Sequence, residues 1–398
     1  MVSSGIHIKV KGEATPLANV VFLLVGAVVA NLLGTTGASM LLIRPWLRMN
    51  KYRVTGYHVV FFIFIVSNVG GCLTPVGDPP LFLGYLNGIP FWWVLTHCWT
   101  IWAVAVGALL LLFYALDRRN YARAPQSVRA ALAEPPDQWH FAGLRNLFFL
   151  GVIVGAVFLR QPPFLREILM VAAAAGSYYT TPRLVHRAND FNFQPIREVA
   201  ILFAGIFATM MPALDWLRAN AGGWGNPSPA FFYWACGSLS SVLDNAPTYL
   251  TFLSAIFGTL IAPEVVTQAQ QLLQQGGPDM LAQVTGPHAE QVKATLLVLQ
   301  QCHGSLAAAS QASVNAIETA FLTGNAQFNQ FLVAVSIGAV FFGANTYIGN
   351  GPNFMVKAVA EQHKVNTPTF LGYAFKYTLP FMLPVLVLIW LLFFRASS

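Results

Sequence analysis

The sequence predicts an all-α polytopic membrane protein: an inverted-repeat transporter with two re-entrant helical hairpins and two discontinuous helices. Three observations carry this. Of the 398 residues, 56% are hydrophobic and only 9% charged, whereas a soluble domain carries about 25% charged residues. The apolar residues fall in blocks of roughly 20, the length that crosses a hydrocarbon core of about 30 Å. One motif occurs twice, 272 residues apart. Gly71-Cys-Leu-Thr74-Pro-Val-Gly77-Asp78-Pro-Pro80-Leu-Phe82-Leu83 aligns without a gap on Gly343-Ala-Asn-Thr346-Tyr-Ile-Gly349-Asn350-Gly-Pro352-Asn-Phe354-Met355. Gly and Pro break helices, and Asp and Asn are costly in lipid. Two matched breaks in apolar segments point to a transporter binding site.

The elements follow in order. Residues 1–16 are polar and hold no signal peptide. Residues 17–33 are apolar and stop at Gly34-Thr35-Thr36-Gly37-Ala38-Ser39; a second apolar run ends at Arg44, Arg48, Lys51 and Arg53. This unit is too short for two full spans at about 1.5 Å per residue plus a turn. It predicts a re-entrant hairpin with its tip at residues 34–39, one long tilted span being the alternative. Residues 55–88 form an apolar run broken at Thr74–Pro80. A span near 91–116 and a basic loop from Asp117 to Arg145 come next. Spans near 144–160, 164–181 and 197–214 lead to a second hairpin, with arms Ala230–Leu243 and Tyr249–Ile261 and tip Asp244–Thr248. Residues 262–325 are polar, Gln-rich and partly helical, an extramembrane insert. The second broken helix occupies 328–361, and a last span 369–394.

Charge orients these elements. With the ends of the first hairpin in the cytoplasm, inner segments carry 16 Lys and Arg: Lys9, Lys11, Arg44, Arg48, Lys51, Arg53, Arg118, Arg119, Arg123, Arg129, Arg145, Arg183, Arg187, Arg197, Lys357 and Lys364. The outside carries Arg160, Arg166, Arg218, Lys293 and Arg395. This satisfies the positive-inside rule, places the N-terminal end in the cytoplasm and brings the second hairpin in from the opposite side. Two inverted repeats follow, 1–142 and 143–398. The second has three spans before its hairpin and the first has none, so about three leading helices are expected upstream. The net charge of +7 reads as topology, not as nucleic-acid binding. The four cysteines have no metal-ligand spacing.

Two tips and two breaks should meet near the bilayer midplane. Broken helices free backbone carbonyls that replace water around a small ion. The surrounding side chains are hard oxygen ligands suited to hard cations: Thr35, Thr36, Ser39, Thr74, Asp78, Ser241, Asp244, Asn245, Thr248, Asn345, Thr346 and Asn350, with Gly77 and Gly349 supplying close backbone. Asp78 and Asp244 are each the only acid in a long apolar neighbourhood. An ionisable group at that depth costs several kcal/mol and signals function. Both are candidate sodium or proton carboxylates, and both also stand where an Asp would cap a half-helix.

Gly70-Gly71-x-x-Thr74-Pro-x-Gly77-Asp78-Pro-Pro80, with Asp244-Asn245-x-Pro247-Thr248, resembles the ion transporter superfamily over essentially the whole chain. The likeness is to bacterial NhaD-type sodium:proton antiporters and CitMHS-like citrate transporters. It implies that Gly34–Ser39 and Ser240–Thr248 are hairpin tips and that Thr74–Pro80 and Thr346–Pro352 are the breaks of a mobile transport domain. It also implies a homodimer in the cell (inner) membrane. The dicarboxylate branch carries Ser-Asn-Thr at both tips; here they read Gly-Thr-Thr and Leu-Asp-Asn, closer to the antiporter branch. The expected function is therefore transport and not enzymatic catalysis. Sodium:proton antiport by alternating access leads, and cation-coupled citrate or other anion transport is the alternative. A channel or a non-transporting scaffold is the reading from another class. No cofactor is expected beyond sodium and protons as transported or coupling ions. The partners expected are the bilayer and a small cation or organic anion, with no nucleic acid.

Overall fold

The computed structural model describes residues 1–398 except 1, 3–4, 10–13, 124–139, 160–161, 163, 189–192, 226, 276–280 and 396–398. Of the charge count, Lys11, Arg129 and Arg160 lie outside the described residues, as do the side chains of Lys9 and Arg187. A short strand β1 (His7–Lys9) precedes α1 (Pro16–Met49). Helix α1 starts where Thr15 Oγ1 accepts from the Ala18 N–H at 3.2 Å, with Pro16 in the first turn. It does not run straight. Gly34 has φ 76° and ψ 154°, a left-handed conformation that glycine adopts without a Cβ penalty. Asn19 and Asn50 exchange side-chain amide hydrogen bonds at 2.8 and 3.0 Å, and Phe22 stacks on Trp46 at 5.5 Å. On a straight helix, residues 31 apart would be about 46 Å apart. The element is a helical hairpin folded at Gly34. Its tip is tighter than the expected six residues: helix resumes at Thr35, so residues 35–39 form the first turn of the second arm.

Helix α2 (Gly56–Ile65) is buried from His58 onward. It breaks into a 3-10 turn (Val69–Gly71) and irregular chain before α3 (Pro79–Leu86). Helix α4 (Trp93–Arg123) runs past the expected end of its span, which puts Asp117 on a helix and not in a loop. Strand β2 (His140–Ala142) pairs antiparallel with β1. Four helices follow, α5 (Asn146–Val157), α6 (Leu165–Thr180), α7 (Arg183–Ala188) and α8 (Gln194–Asn220). They turn large apolar side chains outward, among them Phe148, Ile168, Val171 and Met211. An outward apolar surface of this kind suits lipid and not water.

The second hairpin is α9 (Pro229–Ser240) and α10 (Asn245–Leu260), with Phe232 packed edge-on against Phe252 at 6.3 Å. The expected insert is helical: α11 (Pro263–Gln275), α12 (Ala289–His303) and α13 (Val314–Gly324). It is not a detached loop. Asn315 and Thr319 donate to the Asn87 side chain and carbonyl at 2.7 Å each, and Arg218 pairs with Glu318 at 3.1 Å. Helix α14 (Ala326–Phe342) ends in a 3-10 turn (Gly343–Asn345), and α15 (Gly351–Gln362) follows the second break. The last span is not one α-helix. It comprises α16 (Phe370–Tyr373), a π-helical stretch (Ala374–Met382) and α17 (Leu383–Phe393). Among the described residues, four helices are long and apolar enough to cross a membrane, five if the bent pair α10–α11 counts as one span. The chain is a multi-pass, predominantly helical membrane protein.

One correction to the charge reading concerns Arg53, which is buried and not a solvated topology signal. Its guanidinium makes two bonds to the Asp117 carboxylate, one to each oxygen, and one to the Ala14 carbonyl. Asn19, Tyr57 and His58 donate to the same carboxylate at 2.9, 2.9 and 3.1 Å. Because His58 Nδ1 faces the Thr55 N–H at 3.2 Å, its Nε2 carries the proton that reaches Asp117. This network closes the base of the first hairpin against α2 and α4. It was legible only as isolated polar letters.

Candidate functional site

The two tips and two breaks converge on Asp78. Its Oδ1 accepts from Thr35 Oγ1 at 2.6 Å and from Asn350 Nδ2 at 3.1 Å, and its Oδ2 from Asn245 Nδ2 at 2.6 Å. Thr35 is in the first hairpin, Asn245 in the second and Asn350 in the second break. Asp78 occupies the position before α3 but makes no side-chain cap bond. Its carboxylate is turned to the junction, and all four residues are buried.

The repeat extends to the bonding. Thr35 N–H donates to Gly77 O at 2.7 Å, and Asn245 N–H donates to Gly349 O at 3.2 Å. Thr74 Oγ1 donates to Asn31 O, and Thr346 Oγ1 to Ser241 O, both at 2.6 Å. Gly77 N–H reaches Thr74 Oγ1 at 3.1 Å, and Gly349 N–H reaches Thr346 Oγ1 at 3.2 Å. Each break thus folds over its own hairpin tip in the same way. Glycine is required because a Cβ on Gly77 would stand 2.0 Å from Gly71 O, and one on Gly349 would stand 2.6 Å from Gly343 O.

The halves differ where the motif copies differ. In the second, Asn345 Nδ2 donates to Ser241 Oγ at 2.8 Å, and Asn353 Nδ2 donates to Gly343 O and Thr346 O at 2.8 Å each. The first copy has Leu73 and Leu81 at those positions. Asn353 Oδ1 accepts from Asn68 at 2.7 Å, while Asn350 Nδ2 also faces Ser67 O and Asn68 Oδ1. Two buried oxygens here, Asn245 Oδ1 and Asn345 Oδ1, have no hydrogen-bond partner. A buried acceptor left bare costs about 1–3 kcal/mol.

Other expected site residues lie further out. Thr36 is exposed and belongs to no part of the junction. Ser39 pairs with Ser67 at 2.8 Å, one turn from Thr35. Asp244 has the capping role: its Oδ1 accepts from the Ala246 N–H at 3.0 Å. Thr248 Oγ1 donates to Asp244 O at 2.9 Å and so braces that first turn. No group of three or more His, Cys, Asp or Glu that could hold a metal occurs among the described residues.

Two kinds of residue escaped the sequence reading. Asn31 makes four bonds that tie the first hairpin to the first break. It donates to Ala27 O at 3.0 Å and Gly70 O at 2.7 Å, its Oδ1 accepts from the Leu73 N–H at 2.8 Å, and its carbonyl accepts from Thr74. The signal was present, since Asn19 and Asn31 are the only polar residues in the run 17–33. Tyr373 and Thr378, which donate to Ala344 O and Asn345 O, gave none.

What this geometry offers is a buried junction with one central carboxylate, neutral donors and bare amide oxygens. The four stretches contain no Lys, Arg or His. A family model described as "Putative citrate transport" matches residues 1–394. The chain belongs to that family. Searches of curated proteins and of solved structures returned no match. The family is described as one of transport, a class distinct from enzymes.

Proposed function

We propose that the chain is a secondary transporter that carries citrate or a related carboxylate together with cations. Asp78 is the group through which cation binding and movement are coupled. The observation that carries this reading is the bonding of Asp78 to Thr35, Asn245 and Asn350, which makes one carboxylate the meeting point of both halves. A multiply charged anion entering a site with an acid and no fixed positive charge needs accompanying cations. The bare oxygens of Asn245 and Asn345 are hard ligands suited to such a cation. The hairpins are re-entrant and enter from opposite faces, with the N-terminal end cytoplasmic. The two repeats rock by alternating access in the inner membrane of a homodimer.

A second reading, sodium:proton exchange, is favoured by the same carboxylate. A proton and a cation compete for one carboxylate, because each neutralises the same charge. Reconstitution of the full chain in vesicles separates the two. Labelled citrate uptake that requires an added cation is the expected result. Sodium-driven proton efflux without citrate uptake would overturn the first reading and install the second.

A further inference from the structure

We infer that the π-helical stretch of the last span is a positioning device for the second break, and that Thr378 and Tyr373 are its working residues. Thr378 Oγ1 donates to Asn345 O at 2.7 Å, and Tyr373 Oη donates to Ala344 O at 2.8 Å. These are consecutive carbonyls at the end of the half-helix before the break, and Asn345 carries one of the two bare side-chain oxygens. Tyr373 and Thr378 are five residues apart. On an α-helix, at about 100° per residue, they would lie about 140° apart and could not both face one turn of chain. In a π-helix the bonds run from residue i to i+5, which brings residues five apart onto the same side of the helix. Residues 374–382 adopt that register, so both hydroxyls reach the same turn.

Two prolines accompany this register. Pro380 lies inside the stretch and Pro384 in the first turn of α17. Neither has an N–H to donate, and in an α-helix each ring would clash with the carbonyl four residues before it. A wider register relieves this. The first half uses no such device: from the regular helix α4, Trp102 Nε1 donates to Gly70 O at 3.0 Å. Only the second break is held by hydroxyls on a shifted helix. This inference rests on the reading of Asn345 as a cation ligand, and its test keeps the two apart.

The test compares the full-length wild type with Thr378→Val and Thr378→Ser in vesicles. Two quantities are read: backbone hydrogen exchange of residues 343–350, and the cation concentration that half-saturates citrate uptake. Losing a buried bond of this kind predicts exchange in 343–350 about tenfold faster in Thr378→Val, a cation requirement raised about tenfold, and near-complete restoration of both by Thr378→Ser. If exchange rises and the cation requirement stays at the wild-type value, the positioning role stands and the cation-ligand reading of Asn345 fails. If Thr378→Val exchanges like the wild type, the positioning role is overturned.

Discussion

Asp78 and Asp244 look alike in the sequence and differ in the fold. The Asp78 carboxylate is committed to three side chains from other elements, while that of Asp244 caps its own helix. Asparagine caps as well as aspartate, so Asp244→Asn should keep the thermal stability of the purified protein, whereas Asp244→Ala should lose about 1 kcal/mol. Any rise in the cation requirement of Asp244→Asn then measures its charge alone. Gly77→Ala places a Cβ 2.0 Å from Gly71 O, a backbone atom that cannot yield without opening the break. The expected outcome is loss of transport and destabilisation of about 1–3 kcal/mol or more, read by thermal unfolding in detergent. The repeated motif marked Gly77 and Asp78, and the second hairpin tip marked Asp244. Neither distinguished a carboxylate bonded across elements from a helix cap, because that depends on which neighbours the fold supplies.

Among the elements, the first hairpin was favoured by length and charge over one long tilted span, and the bend at Gly34 decides between them. Its base was not legible in this way. Asp117, Arg53, Tyr57 and His58 are spread over 65 residues and read as a loop end, a basic flank and part of an apolar run. Burial converts them into one network. Asp117→Leu leaves Arg53 as an unpaired buried charge and should cost about 3–5 kcal/mol in thermal unfolding. Combining it with Arg53→Met should recover most of that loss. Asn19→Cys with Asn50→Cys tests the hairpin itself. The pair should cross-link under mild oxidation; a straight helix would hold the sulfurs tens of ångströms apart and give no cross-link. The π-helical stretch was invisible in hydropathy, because its apolar content matches any span and only Pro380 and Pro384 marked it.

At the scale of the molecule, the repeat was legible in the motif, and the matched bonds of Thr74 with Asn31 and Thr346 with Ser241 deepen it. Opposite orientation of the repeats remains a proposal from charge. Single cysteines at Thr15 and Ser228, at the bases of the two hairpins, should react with an impermeant thiol reagent from opposite faces of oriented vesicles. Reaction from one face would remove the inverted arrangement. The antiporter expectation came from the tip residues and from two central acids without a Lys or Arg; the family description is closer to the anion alternative.

The central claim is that Asp78 couples the two halves. Its most direct test is cation-dependent citrate uptake by wild-type and Asp78→Asn protein, reconstituted at equal density and checked for equal thermal stability. Asparagine keeps the shape and removes the charge. Uptake should fall to the level of empty vesicles. Wild-type uptake with an unchanged cation requirement in Asp78→Asn would contradict the account.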